Sequence, residues 1–262
     1  MPQVSDSKYL VMAGWNDVPH LSEKTKRELM ESTPSHLRDA RSKGIPVLGS
    51  GRIFQIDEEL IKESPFSIPA HWPRIAGIDF GWDHPTAAAW LAWDRDTDTI
   101  HVYDIHKLSE ATPIVHAAAF KAKGDWIPFA WPHDGLQHDK GSGEALADSY
   151  RKQGVNMLKA KATHPPAKGE EEGTGGNSVE AGLIEMLDRM QTGRLKVARH
   201  LEQFFEEFRL YHRKDGKIVK EFDDAISAVR YAMMMIRFAK VQTRKAQATV
   251  KSFRPLDAET GW

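Results

Sequence analysis

From Arg74 onward, short apolar runs alternate with polar turns. Arg74 to Phe80 (RIAGIDF) is a compact apolar strand ending in an aspartate, and Thr86 to Trp93 (TAAAWLAW) reads as a strand buried on both faces. Across the turn Asp94-Arg95-Asp96-Thr97-Asp98, Thr99 to Leu108 (TIHVYDIHKL) carries partly alternating apolar positions, so the three runs predict an antiparallel meander. Strands and helices then alternate. Thr112-Pro113 opens a helix that Gly124 closes, Trp126 to Trp131 is a strand, Ser142 to Gly154 brackets a helix, and Val155 to Ala160 is the next strand. Such alternation implies parallel pairing through right-handed crossovers. The expected fold is α/β: a mixed five-stranded sheet, three antiparallel strands followed by parallel ones, with helices on both faces.

The remaining stretches frame this core. Residues 162–176 (ATHPPAKGEEEGTGG) are poor in apolar positions and predict a mobile loop. Asn177 and Glu180 have capping-box spacing and open a helix to about Thr192. A short strand (Leu195 to Ala198), a helix (His200 to Tyr211), a hairpin turn at Asp215-Gly216 and a last helix from about Phe222 to Lys240 follow. Upstream, the first fifty residues predict an irregular leader with two short helices, one opened by Thr33-Pro34 and stopped by Gly44. Pro65, Pro69 and Pro73 stiffen a connector. The expected division is a leader and linker over 1–73, a domain over 74–240 and a basic, flexible tail over 241–262.

Composition narrows the chemistry. The 262 residues contain no cysteine, which excludes disulfides and thiolate metal sites. There is no run of 18 apolar residues and no secretory pattern at MPQVSDSKYL, so the expectation is a cytoplasmic protein without a membrane span. A net charge of −1, from 36 Lys+Arg against 37 Asp+Glu, argues against a protein that coats nucleic acid by charge alone. Between Asp224 and Asp257, however, Arg230, Arg237, Lys240, Arg244, Lys245, Lys251 and Arg254 meet no acid in the sequence. That is either a solvated face or a phosphate-contacting surface. There is no phosphate-cradling glycine loop with its lysine, no dinucleotide fingerprint and no His-Glu-x-x-His.

What remains is carboxylates at strand and helix ends. Asp79 closes the first strand, and Asp134 follows WIPFAW through Pro-His. If those strands are parallel neighbours, both acids reach a switch point of the sheet, where α/β proteins bind ligands. Asp223 and Asp224 open the last helix, whose apolar face can pack on the sheet and bring one of the pair, Asp224 by preference, into the same crevice. Asp83, His84, His133 and His138 flank it. Each acid taken alone also suits a turn or an N-cap. Taken together they repel, by on the order of 4 kcal/mol per pair at 4 Å and an effective dielectric near 20. Short oxygen-only ligands select hard ions, magnesium or manganese, and a cluster of this kind suits two of them. The chemistry so indicated is phosphodiester hydrolysis.

The strings IAGIDFGWDHPTA, FAWPHDG and FDDAISAVRYA, with GIPVLGSGRIF and LEQFFEEFRLYHRKDGKIV, resemble the nuclease domain of phage terminase large subunits. The resemblance implies a ribonuclease H-like fold and a two-metal endonuclease that cuts double-stranded DNA during genome packaging. Its acids carry over onto Asp79, Asp134, Asp223 and Asp224. It also implies the terminase ATPase motor, the small subunit and the portal protein as partners, with the leader as the end of the motor domain. Many relatives have a further aspartate where Ser227 stands here, and the ATPase is absent, so the chain reads as a separate half. Lys159, Lys161, Arg237, Lys240, Arg244 and Lys245 are candidate DNA contacts. Two other readings compete: an actin-like or sugar-kinase phosphotransferase, from Asp79-Phe80-Gly81 after a first strand, and a non-catalytic DNA-binding or portal-docking module.

Overall fold

The computed structural model describes residues 13–33, 38–44, 51–137 and 145–242. The leader holds a short 3-10 turn (Trp15–Asp17), α1 (Glu23–Ser32) and α2 (Arg38–Lys43). The sheet is built from β1 (Lys62–Glu63), β2 (Arg74–Asp79), β3 (Thr86–Asp94), β4 (Thr99–Leu108), β5 (Phe129–Ala130) and β6 (Leu195–Ala198), in the order β1-β6-β4-β3-β2-β5. β2, β3 and β4 are antiparallel neighbours, while β5 joins β2 and β6 joins β4 in parallel. α3 (Pro113–Gly124), α4 (Leu146–Lys152), α5 (Val179–Gln191), α6 (Glu202–Leu210) and α7 (Asp224–Met234) cover it, and a small hairpin, β7 (Arg213–Lys214) with β8 (Lys217–Ile218), precedes α7.

The mixed α/β class is as expected, but the sheet has six strands rather than five. The sixth, β1, comes from the leader side of Pro73 and pairs with β6. With it come Phe54, Ile56 and Ile61, all in the main core. Val155 to Ala160 does not form the expected strand: Met157 makes a single parallel bridge to Phe129, and burial of Val155 and Met157 needs no more pairing than that. Of the six residues of WIPFAW, only Phe129 and Ala130 are in regular strand. The 162–176 segment is irregular, but it is anchored at its start, where Ala162 and Thr163 are buried and the Ala162 N–H donates to the Trp131 carbonyl (2.7 Å). The helix expected from Thr33-Pro34 is described only over Arg38–Lys43; Pro34, and the tail beyond residue 242, lie outside the described residues. No described helix is long and apolar enough to cross a membrane.

The strand pleat sorts side chains into two cores. On β3, Ala87, Ala89 and Leu91 face the core under α5, α6 and α7, whereas Ala88 and Trp90 face the core under α3 and α4. This explains why a run with no polar alternation forms a strand: both faces are covered. On β2, Ile75 belongs to the first core and Ala76 and Ile78 to the second. Gly77 shares the face of Ile75, and there α7 lies directly on the strand; a Cβ at Gly77 would sit 2.1 Å from the Ala228 carbonyl oxygen. Asp79, two residues on, therefore points to the side on which α7 begins.

Candidate active site

Four elements deliver acids and bases to one end of the sheet. Asp79 pairs with Ala87 of β3, and Ala87 pairs with Lys107 of β4, so Asp79 and Lys107 occupy one row across three strands and share the α7 face. Asp134 lies in the 3-10 turn His133–Leu136 that follows β5, the parallel neighbour of β2. Asp223 and Asp224 stand at the start of α7. All four acids line a cleft of about 720 Å³, together with His84, Lys107, Lys220, Ser227, Arg230 and Tyr231. The expected crevice at the carboxyl ends of parallel neighbours is present, and both members of the aspartate pair reach it. The pair escapes the 100° helical offset because Asp223 (φ −133°, ψ 4°) is not yet helical and Asp224 is the first helical residue.

Asp223 occupies the N-cap position, but its carboxylate makes no cap hydrogen bond. That task falls to Glu207 of α6, whose Oε2 accepts from the backbone N–H of Ala225 (2.8 Å) and Ile226 (3.0 Å). The Asp223 carboxylate is left facing the cleft, with the Ser227 hydroxyl 3.4 Å away. The other Glu207 oxygen takes Lys107 Nζ, which also contacts Asp224 Oδ2 at 2.9 Å; His84 Nδ1 lies 3.4 Å from Asp224 Oδ1. Burial opposes the Lys107 charge, but the two carboxylates outweigh it and its pKa is raised. Burial pushes the Asp79 carboxyl well above the usual carboxylate range, and the charges of Asp223, Asp224 and Asp134 push the same way while Arg230 opposes them. Asp223 is raised as well, by burial and then by Asp224.

These shifts mark an acid set short of positive charge, and its donors are all oxygens. Asp79, Asp134, Asp223 and Asp224 fit a hard divalent cation by chemistry. Among the described residues, no three His, Asp or Glu side chains already form a metal-holding group. Asp224 is instead turned toward Lys107 and His84, and Asp134 stands exposed with Gln137 Nε2 at 3.4 Å.

A family model described as terminase RNase H-like domain matches residues 76–236. The chain belongs to the terminase RNase H-like domain family. It is 47% identical over 238 residues to the large terminase subunit of Salmonella phage P22, covering 90% of this chain and 46% of that protein. To the large terminase subunit of Enterobacteria phage LP7 it is 47% identical over 232 residues, 88% of this chain and 47% of that one. The chain thus spans about half the length of the curated relatives it matches. The structure of the P22 large terminase nuclease domain matches with a TM-score of 0.66 and 50% identity, over 74% of this chain and 96% of that one. Large terminase from the thermophilic bacteriophage D6E matches in fold, with a TM-score of 0.54 at 15% identity, over 86% of this chain and 55% of that one. The ribonuclease H-like fold implied by the sequence strings is therefore shown.

Within this terminase domain the other candidates scatter. His84 lines the cleft; Asp83 and His133 are exposed and do not line it, and His133 instead faces Lys161 (2.9 Å). Lys159 is exposed on the segment after α4. Arg237 is opposed after all, by Glu172, and also donates to the Thr163 carbonyl. The Lys240 backbone pairs with Arg74, at the end of β2 opposite Asp79. His138, Arg244 and Lys245 lie outside the described residues. Lys107 and Glu207 went unnoticed in the sequence, and only Glu207 had a signal there. Lys107 follows Ile105 on the inward face, a step the bulge at Tyr103 makes after Ile100 and Val102, and Glu207 falls among Phe204, Phe208 and Tyr211 on the buried stripe of α6.

Proposed function

We propose that this chain is the nuclease part of a viral DNA-packaging enzyme, an endonuclease that hydrolyses phosphodiester bonds of duplex DNA with two magnesium or manganese ions. The observation that carries this reading is the delivery of Asp79, Asp134, Asp223 and Asp224 to one cleft by three separate elements, the end of β2, the turn after β5 and the start of α7. Membership of the terminase domain family and the names of the P22 and LP7 relatives support it.

On this reading the four aspartates hold the ions, with Asp79 on the rigid strand end and Asp134 on the turn after the neighbouring strand. Bound there, divalent ions supply an activated water and stabilise charge on the leaving oxygen of an in-line displacement. The protein's own part is positioning. Glu207 caps α7 so that Asp223 need not, and Lys107 steadies Asp224 until the ligands are assembled. Duplex DNA is the substrate, read through its backbone, so cutting is sequence-independent and weakens steeply with salt. The terminase motor ATPase, the small subunit and the portal are the partners of the whole enzyme, in the host cytoplasm, with the leader joining this domain to the motor.

Plasmid digestion with manganese, with magnesium and with a chelator tests this. The expected result is nicking and linearisation of unrelated plasmids with either ion, abolished by the chelator and by Asp79→Asn or Asp134→Asn. A fully active Asp79→Asn protein, or discrete sequence-matched fragments, would overturn it. ATP hydrolysis without DNA, lost in Asp79→Asn, would favour the kinase-like alternative instead.

A further inference from the structure

Arg230 lies on the same stripe of α7 as Asp223 and Ser227, at i, i+4 and i+7, and lines the same cleft. Its residue surface is only 3% exposed. Two contacts hold it. The stem lies against Gly182 of α5 so closely that a Cβ there would come within 2.8 Å of Arg230 Cγ and Cδ. The guanidinium carbon is 4.3 Å from the centre of the Tyr231 ring.

What this side chain lacks is an anion in contact, since the Asp79 and Asp223 carboxylates feel its charge only from a distance. Among the described residues no carboxylate comes within ion-pairing distance of it, whereas Lys107 at the same cleft is closed off by Glu207 and Asp224. A guanidinium has five N–H donors. The hydrogen bonds it makes here go to a weak acceptor, Met234 Sδ at 3.5 Å, and to the Tyr231 side chain, and leave donors of the fork unused. Burying a charge with no carboxylate in contact is costly, and a rigidly held fork with donors to spare matches the geometry of a phosphate. Lys107, on the same cleft, has two carboxylates in contact, whereas Arg230 acts on Asp79 and Asp223 only at a distance and keeps donors to spare. Resting on the nuclease reading of the cleft, we infer that Arg230 is a phosphate-binding residue whose guanidinium takes a backbone phosphate of the DNA strand lying beside the four aspartates.

The test measures binding apart from cleavage. A labelled duplex of arbitrary sequence is titrated with wild type, Arg230→Gln and Arg230→Lys by fluorescence anisotropy over a range of NaCl, in calcium to fill the oxygen sites. Manganese-dependent nicking and thermal melting are followed in parallel. Arg230→Gln should bind roughly tenfold more weakly. Its plot of log affinity against log salt should be shallower by about 0.9, the value of one phosphate contact. Arg230→Lys keeps the charge without the fork, so it should retain the wild-type slope with an intermediate affinity. A folded Arg230→Gln protein with wild-type affinity and slope would overturn the inference; should the Gln variant fail to melt cooperatively, an Arg230→Lys variant binding as wild type would do so. Absence of both nicking and duplex binding in the wild type would overturn the nuclease reading itself, whereas wild-type nicking with unchanged binding in the variants would remove only the role of Arg230.

Discussion

Asp79 is placed by β2 where burial, first, and then the charges of Asp223, Asp224 and Asp134 raise its pKa, so in the metal-free protein its charged form costs stability. Asp79→Asn should therefore abolish cleavage while raising the melting temperature of the metal-free protein at neutral pH by roughly 2–4 °C; calorimetry in a chelator checks this, and a lower melting temperature would show that Asp79 is a structural anchor. A second residue-scale effect lies on the other face of the sheet. His106 and His116 face each other through Nε2 and Nδ1 at 3.1 Å, and burial, the largest cause, lowers the pKa of both. A depressed histidine leaves stability intact above its unfolded pKa, about 6.5. Below that value the unfolded chain takes the proton first, and stability is lost as pH falls toward the folded pKa, by at most about 1.4 kcal/mol per pH unit for each proton. Denaturant unfolding between pH 7 and pH 5 should show this loss, and His116→Phe should flatten it, since its ring already stacks with Phe120 and Tyr150. An unchanged slope in that variant would place the acid sensitivity elsewhere.

At the scale of elements, α7 is fixed at two points, by Gly77 beneath its middle and by Glu207 at its N-terminus. Glu207 is 2% exposed and serves two backbone donors and one ammonium. Its removal to alanine leaves a half-buried Lys107 facing Asp224 alone and two buried N–H groups unpaired, a loss of about 3–5 kcal/mol. Glu207→Gln keeps an oxygen acceptor for the helix and should lose less; urea unfolding of the two variants separates the cap from the charge, and equal losses would show that only the charge matters. These elements also show what a sequence reveals and what it withholds. β2, β3 and α7 could be read because their apolar residues repeat with the period of the element. β1 could not: Lys62 and Glu63 are two charged residues whose strand state comes wholly from pairing with β6. Asp79, Asp134, Asp223 and Asp224 stood out because each ends or begins an element. Lys107, Glu207 and Arg230 sit inside apolar stripes, where a charge looks like an interruption until the partner helix is known.

For the molecule as a whole, the question is where the folding unit begins. The connector at Pro73 divides the chain by composition, yet the main core continues upstream of it. Phe54 stacks on Phe208 at 5.5 Å, Ile61 is fully buried, and Arg209 reaches Glu58 at 3.0 Å. None of the α1 residues, by contrast, is buried. Cutting the chain before Gly51 should therefore leave the melting temperature and manganese-dependent cleavage close to those of the full chain. Cutting after Leu60 removes Phe54, Ile56 and Glu58 together. Large aromatic truncations in a core cost about 3–5 kcal/mol each, so the second protein should melt roughly 10 °C lower or fail to fold. Losing activity in that protein would then reflect the loss of the domain rather than of any cleft residue, because every acid of the cleft lies beyond the cut. Melting curves for the two truncated proteins decide the matter. If both melt as the full chain does, the domain begins beyond Leu60 and the Phe54 to Glu58 segment is a dispensable addition to the core.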